Sequence, residues 1–185
     1  MNIKVMTVGQ KYTNIAIFFH WVTAIFIMGL FPLGWYMVDL EGADKGYYYG
    51  LHKSLGLTIY TLILMRIFWR VKNKPPALPN EFNLFHKRAS HLVHRMFYSF
   101  LVLMPVAGYL SSSFSGYKTK WFGIEIYYWG WKDEALNSVF SQIHVFCGYI
   151  LILLVILHVG AVIFHFLSKK INLISRMWFH NNINV

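Results

Sequence analysis

Cysteine occurs once in these 185 residues, and acidic side chains occur only seven times against seventeen lysines and arginines. The lone Cys147 stands inside an apolar stretch, so no internal disulfide is possible and no thiolate-ligated metal site is suggested. The acids avoid the apolar stretches altogether, being Asp39, Glu41, Asp44, Glu81, Glu125, Asp133 and Glu134. A proton or cation pathway through a membrane would be expected to place a carboxylate at depth, and none is there. Nor do these stretches hold a nucleophile or an acid–base pair, so no catalytic residue is assigned and any redox chemistry would belong to a cofactor.

What the chain has in abundance is apolar and aromatic surface, 57% and 19% of its residues. Four long apolar runs account for it, Ile15 to Val38, Tyr49 to Val71, Leu92 to Phe114 and Val139 to Leu167, each near the roughly 20 residues that cross a bilayer as a helix. The expected fold is all-α, an integral membrane up-down four-helix bundle forming one domain over 1–185, with helices at 14–38, 48–71, 91–114 and 138–168. The first run is too long for a secretion signal, lacks a small-residue cleavage site and contains His20 and Trp21, so it is expected to be retained.

A formal net charge of +10 would suggest nucleic acid in a soluble chain, but the placement of the charges argues against it. With the amino terminus cytoplasmic, twelve basic residues fall inside: Lys4, Lys11, Arg66, Arg70, Lys72, Lys74, Lys87, Arg88, Arg95, Lys169, Lys170 and Arg176. Only Lys45, Lys53, Lys118, Lys120 and Lys132 fall outside. That bias predicts both termini in the cytoplasm and an affinity for the anionic headgroups of the lipid bilayer. Residues 1–14 read as a short basic lead with no fold of its own. Lys72 to Lys87, with Pro75, Pro76 and Pro79, reads as a non-helical cytoplasmic connector. Tyr47, Tyr48 and Tyr49 read as an interfacial belt. The connection from Ser115 to Asn137, with Trp121, Tyr127, Tyr128, Trp129 and Trp131, reads as an outer-interface segment with a short amphipathic helix.

The histidines carry the functional signal. His144 and His158 are fourteen residues apart on the last run, nearly four turns, so they share one face about 21 Å apart along the axis. The topology puts His52 and His144 towards the outer face, and His20 and His158 towards the inner face. Two pairs at two depths suit axial ligation of two haems in a bundle core. Ala24, Gly56 and Gly148 each follow a histidine by four residues, on its own face, which leaves room for a flat macrocycle. Small residues also simply let helices pack closely, and interhelical hydrogen bonding is the common role of a single membrane histidine. Zinc or copper is the rival ligand set, but a tetrahedral site wants three or four converging ligands. Arg66 and Arg70, one turn apart, read first as cations snorkelling to the inner headgroups. For Arg66, the deeper, pairing with a cofactor carboxylate is the second reading. His91 and His94 read as interfacial histidines or as edges of the inner site.

In sum these elements resemble the prokaryotic cytochrome b561 family of small di-haem membrane proteins. The resemblance rests on FFHW near the amino terminus, LHKSLG and MRIFWR bounding the second run, HLVHRMFYSFLVLMPVAGY in the third, and IHVFCGY and LHVG in the fourth. It implies a bacterial inner membrane cytochrome with two b haems, whose bis-histidine ligands match His52 with His144 and His20 with His158. His91, His94 and His165 match histidines that are not ligands there. It further implies electron exchange with quinone, either as a superoxide-to-quinone type oxidoreductase or as the membrane arm of a respiratory system with an unknown periplasmic donor or acceptor. The outer lysines would steer a small anion, although the six outer acids largely cancel that charge. A monomer and a homodimer are both compatible with the sequence. The contrasting hypothesis is a haem-free or metal- or haem-handling transporter or assembly protein, which a colourless purified protein would favour.

Overall fold

The computed structural model describes residues 6–7, 10–127 and 129–179; Lys4 and Tyr128 lie outside the described residues. Four long helices make up most of the chain: α1 (Asn14–Val38), α2 (Gly42–Lys72), α3 (Leu84–Phe114) and α4 (Glu134–Lys169). All four are long and apolar enough to span a membrane. Helix α3 packs chiefly on α4, and α1 on α2. Side chains such as Ile25, Met28, Phe68 and Ile156 point outward, as lipid contact requires in a bundle whose solvent is hydrocarbon.

The apolar runs locate the spans, but α2, α3 and α4 start several residues before them. For α3 and α4 the reason is capping. The Asn83 side chain accepts from His86 N at 2.9 Å and Asp133 from Leu136 N at 3.0 Å, satisfying amide groups that a helix start leaves unpaired. Thus α3 begins at Leu84 and α4 at Glu134, and the proline connector shrinks accordingly. Helix α2 begins at Gly42, so Tyr47, Tyr48 and Tyr49 stand in its second turn. Helices α1 and α3 run unbroken through Pro32 and Pro105.

Two parts that the sequence left unstructured are ordered. Met6–Thr7 (β1) pairs in parallel with Ile171–Asn172 (β4), and Tyr12 N donates to Arg176 O, so the lead is tied to the tail. Arg176, in a short 3-10 turn at Ile174–Met177, is buried and donates to the carbonyls of Gln10, Pro76 and Ala77. One guanidinium therefore clasps the lead, the proline connector and the tail across one end of the bundle.

Between α3 and α4 the expected amphipathic helix is replaced by a β-hairpin, Lys120–Trp121 (β2) with Ile124–Glu125 (β3). Its two-residue turn, Phe122 and Gly123, has φ of 46° and 92°, the left-handed pair that a tight hairpin turn demands. The hairpin lies against α2: Trp121 Nε1 donates to Thr58 Oγ1 at 3.0 Å, and Phe122 N donates to Ser54 Oγ at 3.0 Å. Tyr109 OH donates to the Tyr127 carbonyl, closing the loop onto α3.

Candidate functional site

Halfway along the bundle, Ile59 and Ile63 of α2, Leu101 of α3, and Leu151 and Leu154 of α4 form a buried apolar cluster. It separates two groups of imidazoles. Beyond it towards the hairpin, the side expected to face outward, His52 of α2 and His144 of α4 have ring centroids 6.1 Å apart. On the inner side, His20 of α1 and His158 of α4 have centroids 6.2 Å apart. The four residues singled out from the sequence are therefore brought together two by two, and α4 contributes to both groups.

Each outer imidazole is backed by a glycine. A Cβ on Gly108 would lie 2.7 Å from His144 Nδ1 and 2.9 Å from its Cε1, and one on Gly34 would lie 3.3 Å from His52 Cε1. The bare Gly108 lets the His144 ring reach past it to the preceding turn, where Nδ1 donates to the Met104 carbonyl at 2.8 Å. That bond sets the tautomer: the proton sits on Nδ1 and the Nε2 lone pair is left for a ligand-accepting metal. His52 Nδ1 is buried without a partner among the described residues, a polar edge that the protein does not satisfy by itself. Sequence reasoning gave Gly108 no role. Its place beside Pro105, in a helix otherwise poor in glycine, was the available signal.

The inner group is larger than the sequence suggested. His94 of α3 lies 5.8 Å from His158 between ring centroids, and its Nδ1 donates to Ser90 O at 2.7 Å. His91, by contrast, is exposed. Thus the two readings offered for this histidine pair divide between them. Arg66 is half-buried and reaches the His20 ring. Its Nη2 donates to His20 Nδ1 at 3.2 Å, and its guanidinium lies 5.5 Å above the Tyr98 ring. His165 is buried, stacked on Phe82 with centroids 4.4 Å apart, and belongs to neither pair.

The model for prokaryotic cytochrome b561 matches residues 11–180. The chain belongs to that family. It is 28% identical over 171 residues to cytochrome b561 homolog 2 of Escherichia coli K12, covering 91% of each chain. To cytochrome b561 homolog 1 of the same organism it is 22% identical over 179 residues, covering 91% of this chain and 97% of the relative. Membership of the cytochrome b561 family makes this a multi-pass membrane protein and implies haem b electron transfer.

The histidine geometry fits such a group. With a metal–imidazole bond of about 2.0–2.1 Å and a ring radius of roughly 1.2 Å, two rings on opposite sides of one ion have centroids about 6.4 Å apart. The observed 6.1 and 6.2 Å are close to that span. Among the described residues no cluster of three or more His, Cys, Asp or Glu converges on a metal-sized point, which is poor geometry for a tetrahedral zinc site.

Proposed function

We propose that this chain carries electrons across the bacterial inner membrane through two b haems, an outer one held by His52 and His144 and an inner one held by His20 and His158. The observation that carries the reading is the spacing of the two imidazole pairs, near the span of a bis-ligated ion, at two depths of one bundle. When bound, haem supplies the reversible ferric–ferrous couple. The chain's own contribution is orientation and exclusion of water. Met104 O holds the His144 ring in the ligating tautomer, and the apolar cluster around Leu151 and Leu154 keeps the space between the sites dry. Both termini are taken as cytoplasmic, from the distribution of basic residues. Quinone is the proposed membrane partner, with a periplasmic donor or acceptor at the outer end, superoxide being one such donor; the protein then acts as an oxidoreductase in a respiratory chain. The whole of 1–185 acts as one unit, as a monomer or a homodimer.

The test is a reduced-minus-oxidised visible spectrum of the detergent-purified protein, with haem per chain quantified in the same sample. Two haems per chain with sharp b-type bands are expected. His52→Ala and His144→Ala should each remove one spectral component, and His20→Ala and His158→Ala the other. Loss of the same component in His20→Ala and His52→Ala would sink the depth pairing. A protein that stays colourless after reconstitution with haem would end the electron-carrier reading.

A further inference from the structure

We propose that Arg66 and Arg70 form the seat for the carboxylates of the inner haem, and that Arg66 exchanges His20 for a carboxylate when that haem enters. The proposal rests on the haem assignment above. Two guanidiniums share one aromatic ring here, with Arg66 5.5 Å and Arg70 5.2 Å from the centroid of Tyr98. Like charges held together need an opposite charge nearby, yet neither arginine has an ion pair among the described residues. The ion pairs found there, Lys118 with Glu125 and Lys132 with Glu134, both lie in the segment at the outer end. Beside the arginines is a cavity of about 170 Å³ lined by Lys11, Arg66, Trp69, Arg70, Lys74 and Tyr98 among others, with no acidic side chain in its wall.

Cations that serve only topology sit in water at the end of a helix. Arg66 is half-buried, and the groups it meets there, the His20 imidazole and the Tyr98 side chain, bring it no carboxylate. A cavity with four cationic side chains and no acid is built for an anion from outside the chain. Contact with His20 says which anion, because whatever reaches Arg66 must lie at the edge of whatever His20 ligates. Haem carries two carboxylates, and two guanidiniums in planar fork geometry match them better than lysines would.

The hydrogen bond itself requires an exchange. Arginine only donates, so in this contact His20 Nδ1 accepts and the ring proton sits on Nε2. An imidazole that gives Nε2 to iron carries its proton on Nδ1, which then faces the guanidinium as donor to donor. Arg66 must leave as the metal arrives, and a carboxylate arriving with the metal offers it a stronger acceptor. His144 needs no such step, since its Nδ1 proton already rests on Met104 O.

The oxyanion could also be the phosphate of an anionic lipid, and the experiment separates the two. Apoprotein is reconstituted with haem b or with its dimethyl ester, in zwitterionic lipid with and without an anionic phospholipid. The chains compared are wild type, Arg66→Gln, Arg66→Lys and Arg70→Gln. Read out are the affinity and the midpoint potential of the component lost in His158→Ala. With haem b, Arg66→Gln is expected to weaken inner binding about ten- to a hundred-fold and to lower that potential, leaving the outer component unchanged. With the dimethyl ester, wild type and Arg66→Gln should bind alike. Equal loss with both macrocycles overturns the proposal, and if the loss depends on anionic lipid the seat belongs to phosphate. A variant that fails to fold would lose both components, and Arg70→Gln then carries the test. A wild type that takes up no haem removes the underlying assignment instead, a result distinct from uptake that ignores Arg66.

Discussion

His144 can lean on α3 because Gly108 has no side chain. A Cβ there would stand 2.7 Å from Nδ1, closer than atoms tolerate, so Gly108→Ala must push the imidazole off the Met104 carbonyl. Loss of such a supporting hydrogen bond costs a metal ligand roughly 10- to 100-fold in affinity. The expected result is depletion of the proposed outer haem with the proposed inner one retained, read from the difference spectrum. Gly34→Ala, whose Cβ would meet His52 Cε1 at 3.3 Å, should be milder because a shift of a few tenths of an ångström relieves it. At the inner end His94 stands as near to His158 as His20 does, so distance alone does not choose the ligand. Since His94 matches a non-ligand in the family resemblance, His94→Ala should keep both haems and shift only the inner band. Loss of the inner component in His94→Ala would transfer the ligand role to His94. The sequence made the four paired histidines legible through depth alone. It did not reveal the contact of Arg66 with His20, because a cation near a helix end has the same sequence signature whether it snorkels outward or reaches a neighbouring helix.

At the scale of elements, the clasp and the hairpin carry separate expectations. Arg176 is 4% exposed and satisfies carbonyls from the lead and the proline connector. Arg176→Ala would leave those carbonyls unpaired and should destabilise the cap they form on the order of 2–4 kcal/mol. Earlier proteolysis in the lead and connector, with the haem spectrum unchanged at first, would show it. The hairpin responds to pH instead. Lys118 at 2.8 Å holds the Glu125 carboxyl below the usual carboxylate range, and Glu125 in turn raises the Lys118 ammonium. Glu125's contribution is present above the ordinary glutamate value and is lost as pH falls through its lowered folded value. The contribution of Lys118 is present below the ordinary lysine value and is lost as pH rises through its raised one. Both side chains are more than half exposed, so the effect is small and local. Hairpin amides should lose protection, relative to their intrinsic exchange rate at each pH, only at the two pH extremes; protection that is the same across the range would count against the pair. These elements escaped sequence reading because strands of two residues carry no periodicity, and a buried arginine depends on carbonyls far away in the chain.

For the whole molecule, the orientation can be tested with one chemistry. Cys147 is 1% exposed, so the native chain offers little background to a membrane-impermeant thiol reagent. In intact cells Gly123→Cys, in the hairpin turn, should label, and Lys169→Cys, at the end of α4 proposed to face the cytoplasm, should label only after the membrane is opened. The reverse pattern would invert the topology and exchange the inner and outer assignments.

The sequence by itself determined the spans, their number and the pairing of histidines by depth. Each of these follows from local quantities: the length of an apolar run, the side on which basic residues gather, and the number of helical turns between two residues. Tertiary structure decided what surrounds each imidazole: the glycine behind His144, the carbonyl that sets its tautomer, the third ring beside His158 and the arginine on His20. It also decided that the lead, connector and tail close into one cap around Arg176. Those contacts join different helices and distant segments, and their partners are chosen by packing, which no run or period within a single segment encodes.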